Sequence, residues 1–170
     1  MPAAALAFAL DGKITGGAAG AYQKLDPTIG FAVGNDTFQD TNLYVFDEDQ
    51  NILLERDIAV DLAPGARVIP AGTIVASHYV FFDPGFAAQQ VGYVEFDSAI
   101  LSVATRQDTL AATDFLANTD VKYLNPALRG LEWQDVVWID PENPFRVRVN
   151  WTASTPGDYI RVFTARSPGM

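Results

Sequence analysis

An all-β fold is what this sequence predicts, an antiparallel β-sandwich of the jelly-roll or Ig-like kind with one short helix near 108–118. Three observations point there. Turn residues recur at short intervals, among them Asp11-Gly12, Gly34-Asn35-Asp36, Asp49-Gln50-Asn51, Pro64-Gly65, Asp83-Pro84-Gly85, Asp140-Pro141 and Pro156-Gly157-Asp158. Between them lie short runs rich in β-branched and aromatic residues, the pattern of a sandwich or barrel. Only residues 108–118 depart from it, with Leu110, Ala111, Phe115 and Leu116 at helical spacing behind Asp108 or Thr109 as cap.

Taken in order, the runs place strands near 28–33, 42–47, 51–54, 57–62, 66–69, 73–82, 91–97, 99–105, 136–139, 145–152 and 158–165. In 73–82, Ile74, Ala76, His78, Val80 and Phe82 share one face and Val75, Ser77, Tyr79 and Phe81 the other, so both faces are apolar and the strand is central. In 145–152, Phe145, Val147, Val149 and Trp151 face one way and Arg146, Arg148, Asn150 and Thr152 the other, which leaves one wet side. No composition break is long enough for a linker, so 11–165 reads as one domain and 166–170 as a tail. The apolar run 2–10 is too short for a membrane span, which needs about 20 residues. It fits either the remnant of an export signal, with Ala5-Leu6-Ala7 and Ala7-Phe8-Ala9 as small-x-small cleavage patterns, or a first strand.

Composition then narrows the function. A chain of 170 residues buries roughly 70% of its unfolded surface, enough for a full core. With 11 basic and 21 acidic side chains the net charge is −10, and that field opposes nucleic-acid partners and anionic membranes. There is no cysteine and a single histidine, His78, so thiolate chemistry and a two-histidine metal site from one chain are excluded. Gly-x-Ser-x-Gly, Walker A and His-Glu-x-x-His motifs are absent.

The remaining candidates are weaker patterns. His78 would need a carboxylate from another strand to serve as a base, and otherwise reads as a hydrogen-bonded core histidine. Tyr93, Glu95 and Asp97 alternate on one strand face, putting two carboxylates about 7 Å apart, within the range of paired acids in inverting glycosidases. Asp47, Asp49 and Asn51 offer oxygens at alternate positions as a calcium loop does, but Ile52 and Ile58 stand where an EF-hand needs glycine and glutamate. Calcium is thus the one cofactor left open, and none is required. Among the tryptophans, Trp133, beside Glu132, Gln134 and Asp135, is the one expected at the surface, where with Tyr93 it would form a ligand-stacking site.

Charge is unevenly spread. Residues 36–61 hold eight acids, including Asp36, Asp40, Glu48 and Asp57, against one arginine, whereas 145–170 holds Arg146, Arg148, Arg161 and Arg166 against one aspartate. Such patches pair within the chain or, between copies, build a ring or filament.

Gly72–Pro84 (GTIVASHYVFFDP), Val94–Leu101 (VEFDSAIL), Leu110–Glu132 and Ser154–Val162 resemble exported bacterial proteins of the PEP-CTERM type, which exosortase systems process at the cell envelope. The likeness covers roughly 28–164 and lacks the Pro-Glu-Pro motif, apolar helix and basic tail of that sorting signal. It implies secretion, a cell-surface or biofilm-matrix location and no assigned catalytic residue. The expected function is therefore that of an extracellular matrix, adhesive or self-assembling component whose partners are itself or an extracellular polysaccharide. A glycan-binding module is the alternative, and a glycosidase or lyase using Glu95 and Asp97 a third.

Overall fold

The computed structural model describes residues 7–34, 37–124, 128–154 and 157–166. Their order is β1 (Ala9–Gly17), β2 (Tyr22–Lys24), β3 (Phe31–Val33), β4 (Leu43–Asp47), β5 (Ile52–Leu53), β6 (Ile58–Ala59), β7 (Val68–Ile69), β8 (Ile74–Phe82), β9 (Ala88–Phe96), β10 (Ile100–Ala104), α1 (Gln107–Ala112), a 3-10 turn (Asp114–Leu116), β11 (Val121–Tyr123), β12 (Val136–Ile139), β13 (Arg146–Ala153) and β14 (Asp158–Ala165). The protein is mostly β. One sheet runs β1-β9-β13-β12, a second runs β10-β14-β8-β4-β2 with β5 also on β8, and two short pairs, β3–β11 and β6–β7, stand apart.

The long ladders are antiparallel, but β2–β4 and β3–β11 are parallel, which corrects the expectation of antiparallel pairing throughout. Both parallel pairs are three residues long, too short to show as a period in the sequence. The first strand also differs. It starts at Ala9 and continues to Gly17, through residues whose glycines and lysine read as a turn; pairing with β9 holds it there across two bulges. Residues 1–6 of the run expected as a signal remnant or first strand, Asp36, and residues 167–170 of the expected tail lie outside the described residues.

Period-two alternation fills two clusters. Val94 and Phe96 of β9 and Val147, Val149 and Trp151 of β13 pack with Val45, Val80, Phe82, Ile160 and Val162 of the second sheet. Trp151, fully buried, stacks on Phe82 and donates Nε1–H to Gln90 Oε1 at 2.9 Å. The opposite face of the second sheet is buried too. Tyr44, Phe46, Tyr79, Phe81, Tyr159 and Phe163 pack there against Leu110, Leu116, Ile58 and Val121, so β8 is central, as its two apolar faces require. The expected helix is shorter than 108–118. Thr113 turns its hydroxyl back to Thr109 O at 2.8 Å and α1 gives way to the 3-10 turn, while Asp61 accepts from the Thr105 and Arg106 N–H groups at the start.

Inside this second cluster lies an ion pair. Glu48 and Arg161, expected in opposite surface patches, have side chains with no exposure and face each other, Nε to Oε1 at 2.7 Å and Nη2 to Oε2 at 3.0 Å. Arg161 Nη1 donates to Leu110 O, Thr113 Oγ1 and Asp114 Oδ1. Glu48 accepts from Ser77 Oγ and the Tyr123 hydroxyl. Asp114 in turn takes a bidentate contact from Arg129 at 2.8 and 2.9 Å. Burial works to raise the Asp114 carboxyl, but the Arg129 hydrogen bond and the Arg161 and Arg129 charges hold it below the ordinary carboxylate value. Arg161→Met strands a buried carboxylate, and urea unfolding is expected to lose about 3–5 kcal/mol, with the Glu48→Met/Arg161→Met double variant losing less than the single one. A single-variant loss under about 1 kcal/mol, the range of exposed ion pairs, is the contrary result.

Candidate functional site

The second sheet is covered on both faces, so the outward face of the β1-β9-β13-β12 sheet is the broad strand surface left to solvent. Backbone register decides which side chains lie abreast on it. One row runs Lys13, Tyr93, Arg148, Trp138 and the next runs Asp11, Glu95, Arg146. Arg146 sits over the Tyr93 ring at 4.0 Å and Arg148 at 5.4 Å, a cation–π contact on each count. Tyr93 is therefore clamped between guanidinium groups, which corrects its assignment as an open stacking ring. Arg146 pairs with Glu95 at 2.8 Å and Arg148 with Asp140 at 2.7 Å. Asp97 accepts from the Phe8 N–H at 2.8 Å. Glu95 and Asp97 thus each hold a structural partner.

Trp133 stands differently. It is 95% exposed, as its polar neighbours predict, and the turn that carries it is tied down at several points. Asp135 Oδ2 accepts from Glu132 N–H at 2.8 Å, Asp135 Oδ1 accepts from Thr152 N–H at 2.9 Å, and Gln134 Nε2 donates to Glu132 Oε2 at 2.7 Å. Further along, Val136 is 52% exposed and Trp138 is half-buried, facing outward beside Arg148. Trp138 also borders a groove of about 430 Å³ with Leu62, Pro64, Ile139, Pro141 and Pro144, inside the size range of small-ligand sites. The expectation of Trp133 as the surface tryptophan passes over Trp138, whose signal lies in Val137 and Ile139, which take the inward positions and leave Val136 and Trp138 outside.

Beneath the Trp133 turn, Asp158 is buried against Asp135. Burial first, then the Asp135 and Glu132 charges and the hydrogen bond to Asp135, push the Asp158 carboxyl up to about 9. Asp158 keeps the proton, while the Asp135 carboxyl is raised chiefly by burial.

His78 receives the carboxylate that a base requires, since Asp47 lies directly opposite on β4. His78 Nδ1 meets Asp47 Oδ1 at 2.7 Å and Nε2 meets Thr164 Oγ1 at 2.9 Å, the order of an acid–base–nucleophile triad. Access runs the wrong way for that chemistry. His78 and Thr164 are fully buried while Asp47 is partly exposed, so the hydroxyl that would attack is sealed between the sheets and the unit serves as a core bridge. Asp47 also holds Lys24 at 3.1 Å and the Ala9 N–H at 3.1 Å. Burial would raise its carboxyl, but His78, Lys24 and the Ala9 N–H keep it low. With Asp47 so engaged and Asn51 in the left-handed region at φ 57°, the Asp47, Asp49, Asn51 set is used as a turn. Among the described residues no group of three or more His, Cys, Asp or Glu side chains is placed to hold a metal ion.

The charge patches resolve mostly into internal pairs. Asp40 accepts from the Tyr44 hydroxyl and Asn42 N–H, and Asp57 from Ala71 N–H. Arg146 and Arg148 are engaged by carboxylates of their own and Arg161 is buried, which leaves Arg166 as the exposed member of the basic patch. No family model, curated protein or solved structure matches the chain.

Asp158 has a consequence for stability. Its folded value lies above the ordinary 3.8, so between about pH 4 and 9 the native state binds a proton that the unfolded chain has released, and stability falls as pH rises through that window. Asp158→Asn supplies a permanent neutral group. Thermal unfolding followed across this range should show a flatter pH dependence for the variant and a higher Tm at pH 8; parallel curves for the two proteins would refute the shared proton.

Proposed function

We propose that this chain is a secreted bacterial protein of the cell surface or matrix, built as a β-sandwich of two sheets, and that it acts without catalysis by binding polysaccharide. The observation that carries this reading is Trp133, 95% exposed on a turn held by Asp135 and Glu132. Exposing an indole to water forgoes its burial, and fixing it on a rigid turn lowers the ordering loss on binding. Tryptophan is also the residue most enriched where binding energy concentrates. The resemblance to exported envelope proteins supports the location, and the two carboxylates a hydrolase would use are each engaged, Glu95 by Arg146 and Asp97 by the Phe8 N–H. Charge-driven self-assembly is weakened because its basic half is paired inside the chain.

Two measurements test the reading. In light scattering the mass is expected to stay that of one fixed species at low and high salt; growth into salt-sensitive assemblies would favour the matrix role through self-association. On a panel of immobilised polysaccharides at least one is expected to retain the protein, and Trp133→Ala should weaken retention by about tenfold or more, whereas Ile29→Ala, at an 86% exposed position in another loop, should not. A panel on which the intact protein binds nothing would sink the proposal.

A further inference from the structure

We infer that the ligand is an uncharged, extended polysaccharide lying along β12, from the Trp133 turn to the groove beside Trp138; the inference rests on the carbohydrate reading above and adds the path and the chemical class. The path comes from the strand. Val136 and Trp138 are outward neighbours on β12, about 7 Å apart at the strand rise, and Trp133 stands on the exposed Glu132–Asp135 turn that leads into the strand. Asp135, between the two tryptophans in sequence, is directed away, its oxygens taken by the Glu132 and Thr152 N–H groups. One isolated indole suits many partners, but an indole on the turn that leads into β12, followed by an outward valine and a second indole on the strand itself, suits an extended ligand that repeats the same apolar ring face.

Polar contacts follow the same line. On β13, Arg148 lies beside Trp138 and Asn150 beside Val136. Arg148 spends Nε on Asp140, which leaves its Nη groups as donors. Asn150 accepts from Gln89 Nε2 through Oδ1 at 2.9 Å, which leaves its amide N–H groups to donate. A row of fixed donors flanking apolar ring surface is what hydroxyl oxygens on a sugar need. At the far end, Pro64, Pro141 and Pro144 give the Trp138 groove stiff apolar walls.

The charge class comes from the carboxylates. Glu132 and Asp135 stand at one end of β12, Asp140 and Glu142 at the other, and Arg148 is neutralised by Asp140. A polyuronate or sulfated chain would meet the exposed Glu132 and Glu142 and the net charge of −10; an uncharged polymer meets no such opposition.

Affinity electrophoresis in gels cast with hydroxyethyl cellulose or with alginate tests this. Retardation is expected in the uncharged polymer, unaffected by salt, and absent in alginate. Trp138→Ala and Asn150→Ala should each reduce the apparent affinity, the tryptophan by about tenfold, and Trp138→Phe, which keeps an aromatic ring, should retain part of it with an unchanged Tm. Stronger retardation in alginate, or full retardation of folded Trp138→Ala, would overturn the inference while leaving polysaccharide binding in place. Absence of binding to every polysaccharide on the panel would instead remove the underlying reading.

Discussion

A carboxylate and a guanidinium sealed away from water set the terms for the rest of this molecule. Glu48, just past β4, and Arg161, on β14, flank β8 on the same face and reach across Ser77 and Tyr79. Taking such charges out of water is expensive unless every donor and acceptor finds a partner. Arg161 therefore needs the Leu110 carbonyl, Thr113 and Asp114, and those groups exist in position only because α1 ends where it does. The pair also fixes register. Side chains alternate with period two, so a one-residue slip of β14 would drive Arg161 among Val45 and Val80 on the other face. An apolar core tolerates some slippage in register, but this one does not.

Legibility in the sequence followed the length over which a pattern repeats. β8 and β13 carry eight or nine residues of alternation, and both their faces and their burial were readable. Trp151 inside and Trp133 outside followed from their neighbours. What escaped was short or non-local. β3 fell inside the expected 28–33 run, whereas β2 and β11 offer too few positions to show a period, and β1 is a strand only because β9 lies beside it. Glu48 and Arg161 looked like surface charge because nothing local distinguishes a solvated acid from a buried one; the difference is a partner 113 positions away. Charge counts by segment found the right residues and assigned them the wrong environment.

The two sheets divide the labour. The second, wrapped by the helix, the 3-10 turn and the small strand pairs, spends both faces on stability and holds the His78 and Arg161 networks. The first buries one face and offers the other. Its centre is closed by reciprocal Arg–carboxylate pairs over Tyr93, which makes it stiff and electrically quiet. Its β12 edge keeps Val136 and Trp138 outward beside Arg148 and Asn150, and it is there that the proposed ligand would lie.

One topological fact reaches beyond the folded state. β14, close to the end of the described chain, sits between β10 and β8 in the interior of its sheet. β8 and β10 each lack a neighbour until it arrives, and its ladder with β8 joins residues 76 to 90 positions apart, pairing of the slow, non-local kind. Until β14 docks, β8 and β10 each keep an open edge and Glu48 lacks its guanidinium partner, so one strand closes the sheet and the buried charge network together.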